Sequence, residues 1–347
     1  MRKTERQEGN AVNRFLRRFA WLLAAAGLWL LSAGGLEGGL GAWMIDRPQE
    51  ERMKNVVLAS SSAQQPTGST VTTTLPRLLS AARGEAALSV PPETDAVWET
   101  AIEGGVRIRN ETQYWVDAAD ILSGGLALTL PAYEPQILII HTHGSEAYAQ
   151  SGADRYSASD DGRTEDTQFN VVRIGDELTE ILTEAGLNVI HDRGIYDYPS
   201  YTGSYNRAGE AIEQYLESCP GIRVVLDIHR DALGSNGVVY KTMAEEEGTT
   251  ASQVMLLVGT DESGLEHPDW RGNLAFALYL QNAANSAYPT LMRPVALVPQ
   301  RYNQQLTPGS LIVEVGSSGN TLREALAAVR LFGRAIAPAL LDLVGGE

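Results

Sequence analysis

The sequence predicts an α/β domain of the three-layer α/β/α sandwich type, with a mostly parallel central sheet. Short apolar runs alternate with longer segments whose apolar residues recur at helical spacing. Some of the runs contain no polar residue, as is typical of strands covered on both faces. Because this alternation begins near residue 96 and continues to the C-terminus, we assign the domain to residues 96–347.

The elements follow one another in a regular order. A strand is predicted over 137–140 and a helix over 169–185, with Gly186 placed to end the helix. The later elements are a strand over 187–190, a helix over 205–218, strands over 223–228 and 254–258, a helix over 273–285, a strand over 311–315 and a helix over 321–343. This order indicates repeated βα units.

Three segments precede the domain. Residues 1–18 carry six Lys or Arg against two Glu, and residues 19–36 form an apolar run that just reaches the length of a bilayer span. The pattern favours a retained signal anchor, with 1–18 in the cytoplasm and the domain outside, over a cleaved signal peptide. Residues 37–95 lack apolar periodicity and are expected to be a linker.

Charge and cysteine content narrow the possible functions. Beyond residue 18 the chain carries 21 basic and 41 acidic residues, which disfavours nucleic acid and anionic lipid as partners. Cys219 is the only cysteine, so a cysteine zinc cluster is excluded. Any metal must be held by His, Asp or Glu.

The first candidate cluster follows the strand over 137–140 and contains His141, His143 and Glu146. Residues two apart in extended backbone face the same side, so both imidazoles are expected to point into one pocket. Imidazole and carboxylate are common zinc ligands, and a catalytic site uses three of them plus an open position. The alternative is that one histidine only hydrogen-bonds at the strand end.

A second cluster ends the strand over 223–228 and consists of Asp227, His229, Arg230 and Asp231. A histidine beside a carboxylate that accepts its second N–H becomes an oriented metal ligand. The alternative is a histidine that is satisfied within the core.

Three further carboxylates are candidates. Glu314 lies within an otherwise apolar strand, so it has either a cationic partner or a role as general base. Glu165 and Asp166 precede a predicted helix and either cap it or supply the third metal ligand. The residues alone do not decide between them and Glu146.

Six ordered motifs resemble those of the stage II sporulation protein P family. The first has the sequence Ile-Leu-Ile-Ile-His-Thr-His-Gly-Ser-Glu-Ala-Tyr. The motifs lie at 137–148, 170–178, 197–201, 227–232, 301–304 and 313–316. The resemblance implies a fold related to zinc-dependent N-acetylmuramoyl-L-alanine amidases, which cleave the amide between the lactyl group of peptidoglycan and the stem peptide.

The resemblance also implies residue roles. Zinc (Zn²⁺) would be bound by His229 and by His143 or His141, with His143 favoured, and Glu314 would be the general base. Arg230 and Asp231 would contact the stem peptide or orient His229.

The same resemblance implies a cellular role in thinning the septal wall during engulfment of the forespore. The stage II sporulation proteins D and M would be partners, and the domain would work outside the cytoplasmic membrane. Some members of the family are also credited with endopeptidase activity. The alternatives are a zinc carboxypeptidase or endopeptidase that acts on stem peptides, and a non-catalytic wall-binding scaffold.

Overall fold

The computed structural model describes residues 98–101, 105–159, 162–235 and 238–345. The predicted basic tail, anchor and linker over 1–95 lie outside these residues. Among the described helices, none has the length and apolarity needed to cross a bilayer.

Twelve strands are present in the described part of the chain. They are β1 Trp98–Ala101, β2 Arg107–Asn110, β3 Ile137–Ile140, β4 Val189–His191, β5 Val224–Asp231, β6 Gly234–Ser235, β7 Val238–Val239, β8 Ala244–Glu246, β9 Thr249–Ala251, β10 Val254–Gly259, β11 Val295–Val298 and β12 Gly309–Ser317. The strands β6–β7 and β8–β9 form two small separate hairpins.

Five α-helices and a short 3₁₀-helix are interspersed with these strands in the same part of the chain. They are α1 Ala118–Ser123, α2 Val171–Glu184, α3 Ser204–Ser218, α4 Trp270–Ala287, the 3₁₀-helix Gln304–Leu306 and α5 Leu322–Leu341. The predicted helices agree with α2, α3, α4 and α5 to within a few residues at each end.

The central sheet has eight strands in the order β1-β2-β11-β10-β12-β5-β3-β4. Two neighbouring pairs, β1/β2 and β10/β12, are antiparallel, and the other five pairs are parallel. The prediction of a mostly parallel sheet is therefore confirmed. Strands β12, β5, β3 and β4 run in one direction, so their carboxyl ends share one edge, where catalytic groups of open α/β sheets collect.

The two faces of the sheet are covered unequally. On one face, Ile139, Leu226 and Val313 belong to a large apolar core that includes residues of α2, α4 and α5. On the other face, Leu138 and Val225 pack against α3. Strand alternation thus gives the helix–sheet–helix layering that the sequence predicts, with α1, α2, α4 and α5 on one side and α3 on the other.

Three strands of the central sheet, the four strands of the two small hairpins and one α-helix of the described chain were not predicted. Strands β1 and β2 pair with each other, and β2 also pairs with β11, so together they extend the sheet beyond β10. Strand β2 carries Arg, Ile, Arg and Asn, and β11 is only four residues long. Helix α1 has six residues and begins after Asp117, whose side chain accepts hydrogen bonds from two backbone N–H groups.

Candidate metal centre

His143, Glu146 and His229 come together at the carboxyl ends of β3 and β5. One potential ligand atom from each lies within 4.8 Å of the other two, and all three residues are buried. Glu146 Oε1 is 3.6 Å from His143 Nδ1, and Glu146 Oε2 is 3.5 Å from His229 Nδ1. These separations are close to the roughly 3.4 Å between two ligand atoms of one tetrahedral zinc. The donor set therefore fits a metal ion.

The second nitrogen of each imidazole has its own partner. His143 Nε2 lies 3.1 Å from Ser204 Oγ, and His229 Nε2 lies 2.9 Å from Asp227 Oδ1. Both Nδ1 atoms face Glu146. His143 Nδ1 is a buried atom without a hydrogen-bond partner, and His229 Nε2 has the charged contact with Asp227 but no well-aligned hydrogen bond. A buried polar atom in this state calls for an explanation, and a bound ion is one that the neighbouring donor atoms fit.

Asp227 connects His229 to the turn that follows β3. Its Oδ1 accepts a hydrogen bond from the Thr142 backbone N–H at 2.8 Å, and its Oδ2 accepts one from the Thr142 hydroxyl at 2.6 Å. These contacts fix the carboxylate that orients His229, as expected for an outer partner of a metal ligand.

The charges in the cluster influence one another. Burial raises the pKa of Glu146, but Arg230 and the two histidines outweigh burial and hold this pKa well below its ordinary value. Burial lowers the pKa of His229, but Asp227 and Glu146 outweigh it and hold the pKa well above its ordinary value. Glu146 and Asp227 thus favour a positive charge at the cluster.

Glu314 lies on the strand next to His229. The two residues are partners in the parallel register of β12 and β5, and Glu314 is 5% exposed. Val313 and Val315 point into the large core, so alternation places Glu314 on the opposite face, the same face as His229. A buried carboxylate consequently lies beside the metal cluster.

The structure places His141 away from this cluster. His141 Nδ1 donates to the Ile228 carbonyl at 3.2 Å, and its Nε2 lies 2.8 Å from His191 Nε2. Both rings pack against Gly175 of α2, on the other face of the sheet. This corrects the prediction that counted His141 among the metal ligands. Strand β3 ends at Ile140 and a turn follows over 142–145. The alternation of side chains, on which that prediction depended, therefore does not extend over both histidines.

Glu165 and Asp166 are exposed and do not join the cluster. Asp166 Oδ1 accepts a hydrogen bond from the Gln168 backbone N–H at 3.1 Å. The residue that caps α2 is Asn170, whose side chain accepts from the Val172 N–H. Of the three carboxylates that the sequence left open, Glu146 is the one that lies with the two histidines, so its role as third ligand stays the prediction that this geometry favours.

Arg230 and Asp231 have structural contacts. The Arg230 backbone N–H donates to Glu146 Oε2 at 3.1 Å, and its guanidinium donates to the carbonyls of Ala147 and Gly162. Asp231 pairs with Arg293 at 2.8 Å. Arg230 therefore holds the loop that carries Glu146, and contact of either residue with a stem peptide stays a prediction.

Sequence reasoning missed Arg163, a further residue in contact with the cluster. Its Nη2 lies 3.3 Å from Glu146 Oε1, and its Nη1 lies 2.5 Å from Asp197 Oδ2. Asp197 also accepts hydrogen bonds from the backbone N–H and the hydroxyl of Ser145. Asp197 lies in one of the motifs of the resemblance, whereas Arg163 lies in a polar loop where no local pattern marks it.

The comparison with solved structures matches two amidases, among others. N-acetylmuramoyl-L-alanine amidase AmiC2 of Nostoc punctiforme is 15% identical, with a TM-score of 0.35, over 60% of this chain and 96% of that one. The CwlD amidase of Clostridioides difficile, solved with the GerS lipoprotein, is 14% identical, with a TM-score of 0.37, over 60% of this chain and 98% of that one.

The sequence comparisons are more specific. Stage II sporulation protein P of Bacillus subtilis (strain 168) is 24% identical over 203 residues, which are 54% of this chain and 47% of the relative. The match thus spans about half the length of that relative. A family model for stage II sporulation protein P matches residues 63–337, which include every residue of the cluster. The chain therefore belongs to the stage II sporulation protein P family.

Proposed function

We propose that this chain is a zinc-dependent N-acetylmuramoyl-L-alanine amidase that degrades septal peptidoglycan during sporulation. The observation that carries the proposal is the buried cluster of His143, Glu146 and His229, with Glu314 on the adjacent strand. Two histidines and one carboxylate are a ligand set of zinc hydrolases, which keep a fourth position for water or substrate. Membership of the family supports the substrate and the setting.

Each protein group has a task in this reaction. A zinc ion held by the cluster would supply a Lewis acid that polarises the scissile carbonyl and activates water. Glu314 would accept a proton from the attacking water and return it to the leaving nitrogen of the stem peptide. Asp227 holds the His229 ring, so the ligand keeps its orientation while the amide breaks. The products are a lactyl carboxylate and a free peptide amine.

The cellular arrangement is also part of the proposal. The apolar run over 19–36 would hold the enzyme at the cytoplasmic membrane with its domain outside, and the linker over 37–95 would confine it to nearby wall. The stage II sporulation proteins D and M would be its companions, as the family resemblance implies. Labelling engineered surface cysteines with a membrane-impermeant reagent tests this orientation.

The deciding experiment uses the full-length chain as wild type, His229→Ala and Glu314→Gln. Zinc content and the release of stem peptides from purified peptidoglycan are measured for each. We expect about one zinc and free intact stem peptides for wild type, loss of zinc for His229→Ala, and retained zinc without turnover for Glu314→Gln. The matched control is Glu165→Gln, an exposed carboxylate that should change neither result.

The products separate the alternatives. Shortened peptides or opened cross-links would replace the amidase with a zinc peptidase. A wild-type chain that holds no zinc and releases nothing, with its companions present, would point to a wall-binding scaffold.

A further inference from the structure

A groove lies between the C-terminal halves of α2 and α5, and we call it the α2/α5 groove. Its volume is about 560 Å³. The floor of the groove is apolar and is formed by Ile181, Ala185, Ala337, Pro338 and Leu341. Leu341 is 39% exposed, which is high for a leucine on the inner side of a helix pair. The fold therefore leaves apolar surface of two helices accessible to a ligand.

The two rims of this groove carry opposite charges. Glu180 and Glu184 of α2 form one side, the glutamate rim, and Arg330 and Arg334 of α5 form the other, the arginine rim. All four residues are exposed. A ligand that fits both rims carries a positive charge on one flank and a negative charge on the other, with an apolar face between them.

One segment of this chain has that pattern in its sequence. It covers residues 75–88, which lie outside the described residues. Its apolar side chains follow the spacing of one helix face and are Leu75, Leu78, Leu79, Ala82 and Ala86. Successive residues of a helix are about 100° apart, so Arg83 and Glu85 would lie about 80° to either side of this face. The segment therefore matches the groove in both its apolar face and its flanking charges.

The same segment is a weak helix by itself. Gly84 is unfavourable in a helix interior, and isolated helices of about 14 residues are marginal in water. Thr74 and Pro76, in contrast, are residue types that favour a helix start. Helix formation over 75–88 consequently requires a surface that buries its apolar face.

The chain enters the domain at the edge of the sheet where the groove lies. Strands β2, β11 and β10 run opposite to β12, and β1 is antiparallel to β2, so Trp98 begins β1 at the edge opposite the metal cluster. Helices α2 and α5 follow β3 and β12 and run back along the sheet, so their C-terminal halves lie at this edge too.

The segment is also near enough to reach the groove. Helix α2 packs on β5, which is five strand spacings, or about 24 Å, from β1. The extended chain from Leu88 to Trp98 spans about 35 Å. Pro91 and Pro92 favour an extended backbone within this stretch.

We propose that residues 75–88 dock as a helix in the α2/α5 groove, with Arg83 on the glutamate rim and Glu85 on the arginine rim. Docking would divide the linker over 37–95 into a free stretch over 37–74 and a part held on the domain. The proposal does not depend on the proposed amidase function, and its tests do not measure activity.

The first test is cross-linking within the full-length protein, in which Cys219→Ala removes the native thiol. Ala82→Cys, on the apolar face of the segment, is combined with Ala185→Cys on the floor of the groove, and a short bismaleimide joins the two thiols. The matched control combines Ala82→Cys with Trp115→Cys, an 83% exposed position in the loop that follows β2, at the same edge. We expect the groove pair to react about tenfold faster, because docking raises its effective concentration.

The second test reverses one charge of the segment. Arg83→Glu places a carboxylate against the glutamate rim and should slow the groove cross-link about fivefold. Combining it with Glu180→Arg and Glu184→Arg should restore most of the rate. Arg77→Glu, the same charge change on the opposite side of the helix, is the matched control and should leave the rate unchanged.

Hydrogen exchange of the unmodified protein is an independent measurement that needs no substitution. Backbone amides within 77–88 should exchange about tenfold more slowly than those within 55–65, another part of the linker, because a docked helix protects them. Equal exchange in the two stretches would overturn the docking.

The cross-linking outcomes also decide against specific alternatives. Equal rates for the Ala185 and Trp115 pairs would overturn the docking, because a free tether samples both positions. Equal losses from Arg83→Glu and Arg77→Glu would overturn the proposed orientation of the helix. Groove cross-links that join two molecules, in place of links within one, would assign the groove to a second copy of this chain.

Discussion

Two pairs of buried histidines lie on opposite faces of the same sheet and have opposite electrostatic surroundings. His143 and His229 face Glu146, and the charges around His229 hold its pKa well above its ordinary value. His141 and His191 contact each other, and burial lowers their pKa values to about 3 and about 4. All four rings are largely buried. The buried carboxylate Glu146 lies between His143 and His229, whereas His191 Nδ1 lies 3.2 Å from Asp176, a partly exposed carboxylate that Arg193 already pairs. Histidine type and burial alone do not identify a metal site.

The largest expected effect comes from removing Glu146, the buried carboxylate that lies between His143 and His229. Glu146→Gln should weaken zinc binding more than about 100-fold, because it removes a candidate ligand where loss of an outer partner already costs 10–100-fold. His141→Gln is the matched control on the other face and should retain zinc. Competition with a fluorescent chelator measures both affinities. A Glu146→Gln protein that keeps its affinity while His141→Gln loses it would exchange the roles of the two pairs.

The next effect falls on the His141–His191 pair. Gly175→Ala would place a Cβ 2.6 Å from His141 Nε2 and 2.5 Å from His191 Nε2, so the rings or α2 must move. Overpacking of this kind costs about 2 kcal/mol of unfolding free energy. Urea denaturation measures the loss, and zinc affinity of the folded protein should stay unchanged. Gly124→Ala is the control, since its added Cβ meets nothing closer than 3.4 Å.

A smaller loss of zinc affinity should follow from removing a contact that positions Glu146 while Glu146 itself is kept. Arg163→Ala deletes the guanidinium that contacts Glu146 and Asp197, and we expect zinc affinity to fall about tenfold. Arg163→Lys should recover part of this loss, because it keeps the charge but not the two-sided contact. Arg155→Ala, on the same loop, removes a side chain that donates to the nearby Gly152 carbonyl and should match wild type. If Arg155→Ala and Arg163→Ala lose equal affinity, the effect belongs to the loop in general.

The smallest effect concerns pH. The pKa of His191 in the folded protein is about 4, below its ordinary value of 6.5, because burial disfavours the charged ring, although Asp192 acts in the other direction. The unfolded chain therefore binds a proton that the folded chain excludes, so stability is present above pH 6.5 and is lost as the pH falls towards 4. We expect wild type to lose about 1 kcal/mol more than His191→Gln between pH 7 and pH 5.5. Urea midpoints at the two pH values measure this difference, and identical losses would contradict it.

Much of the fold could be predicted because the central strands are continuous apolar runs. Strands β3, β5, β10 and β12 are buried on both faces, so their sequences carry a strong signal. The edge strand β1 and its neighbour β2 carry a weak one, because pairing with neighbouring strands, and not their own composition, makes them strands. Strand β11 is a buried apolar run of four residues like β3, so its sequence carries a strand signal, although it was not among the predicted strands.

The site was predictable only in part. Histidines and carboxylates at strand ends pointed to the right edge of the sheet, and His229 with Asp227 follows directly from β5. Three matters needed the path of the chain in space: the direction of His141, the choice of Glu146 over Glu165 and Asp166, and the approach of Arg163. Each depends on turns and loops between 141 and 166, where sequence spacing no longer fixes the direction of a side chain.

The contacts at the base of the loop that follows Glu146 have a consequence for protein engineering. Ala147 N–H donates to the Gly162 carbonyl at 2.9 Å, Thr164 N–H donates to the Ser145 carbonyl, and Arg230 holds Gly162 from the neighbouring strand. The two ends of this loop are thus held together by contacts that do not involve Gly152, which is exposed. Doubling the length of a flexible loop costs only about 0.6 kcal/mol. A tag or an optical probe can therefore be inserted at Gly152 without breaking the contacts that join the two ends of this loop.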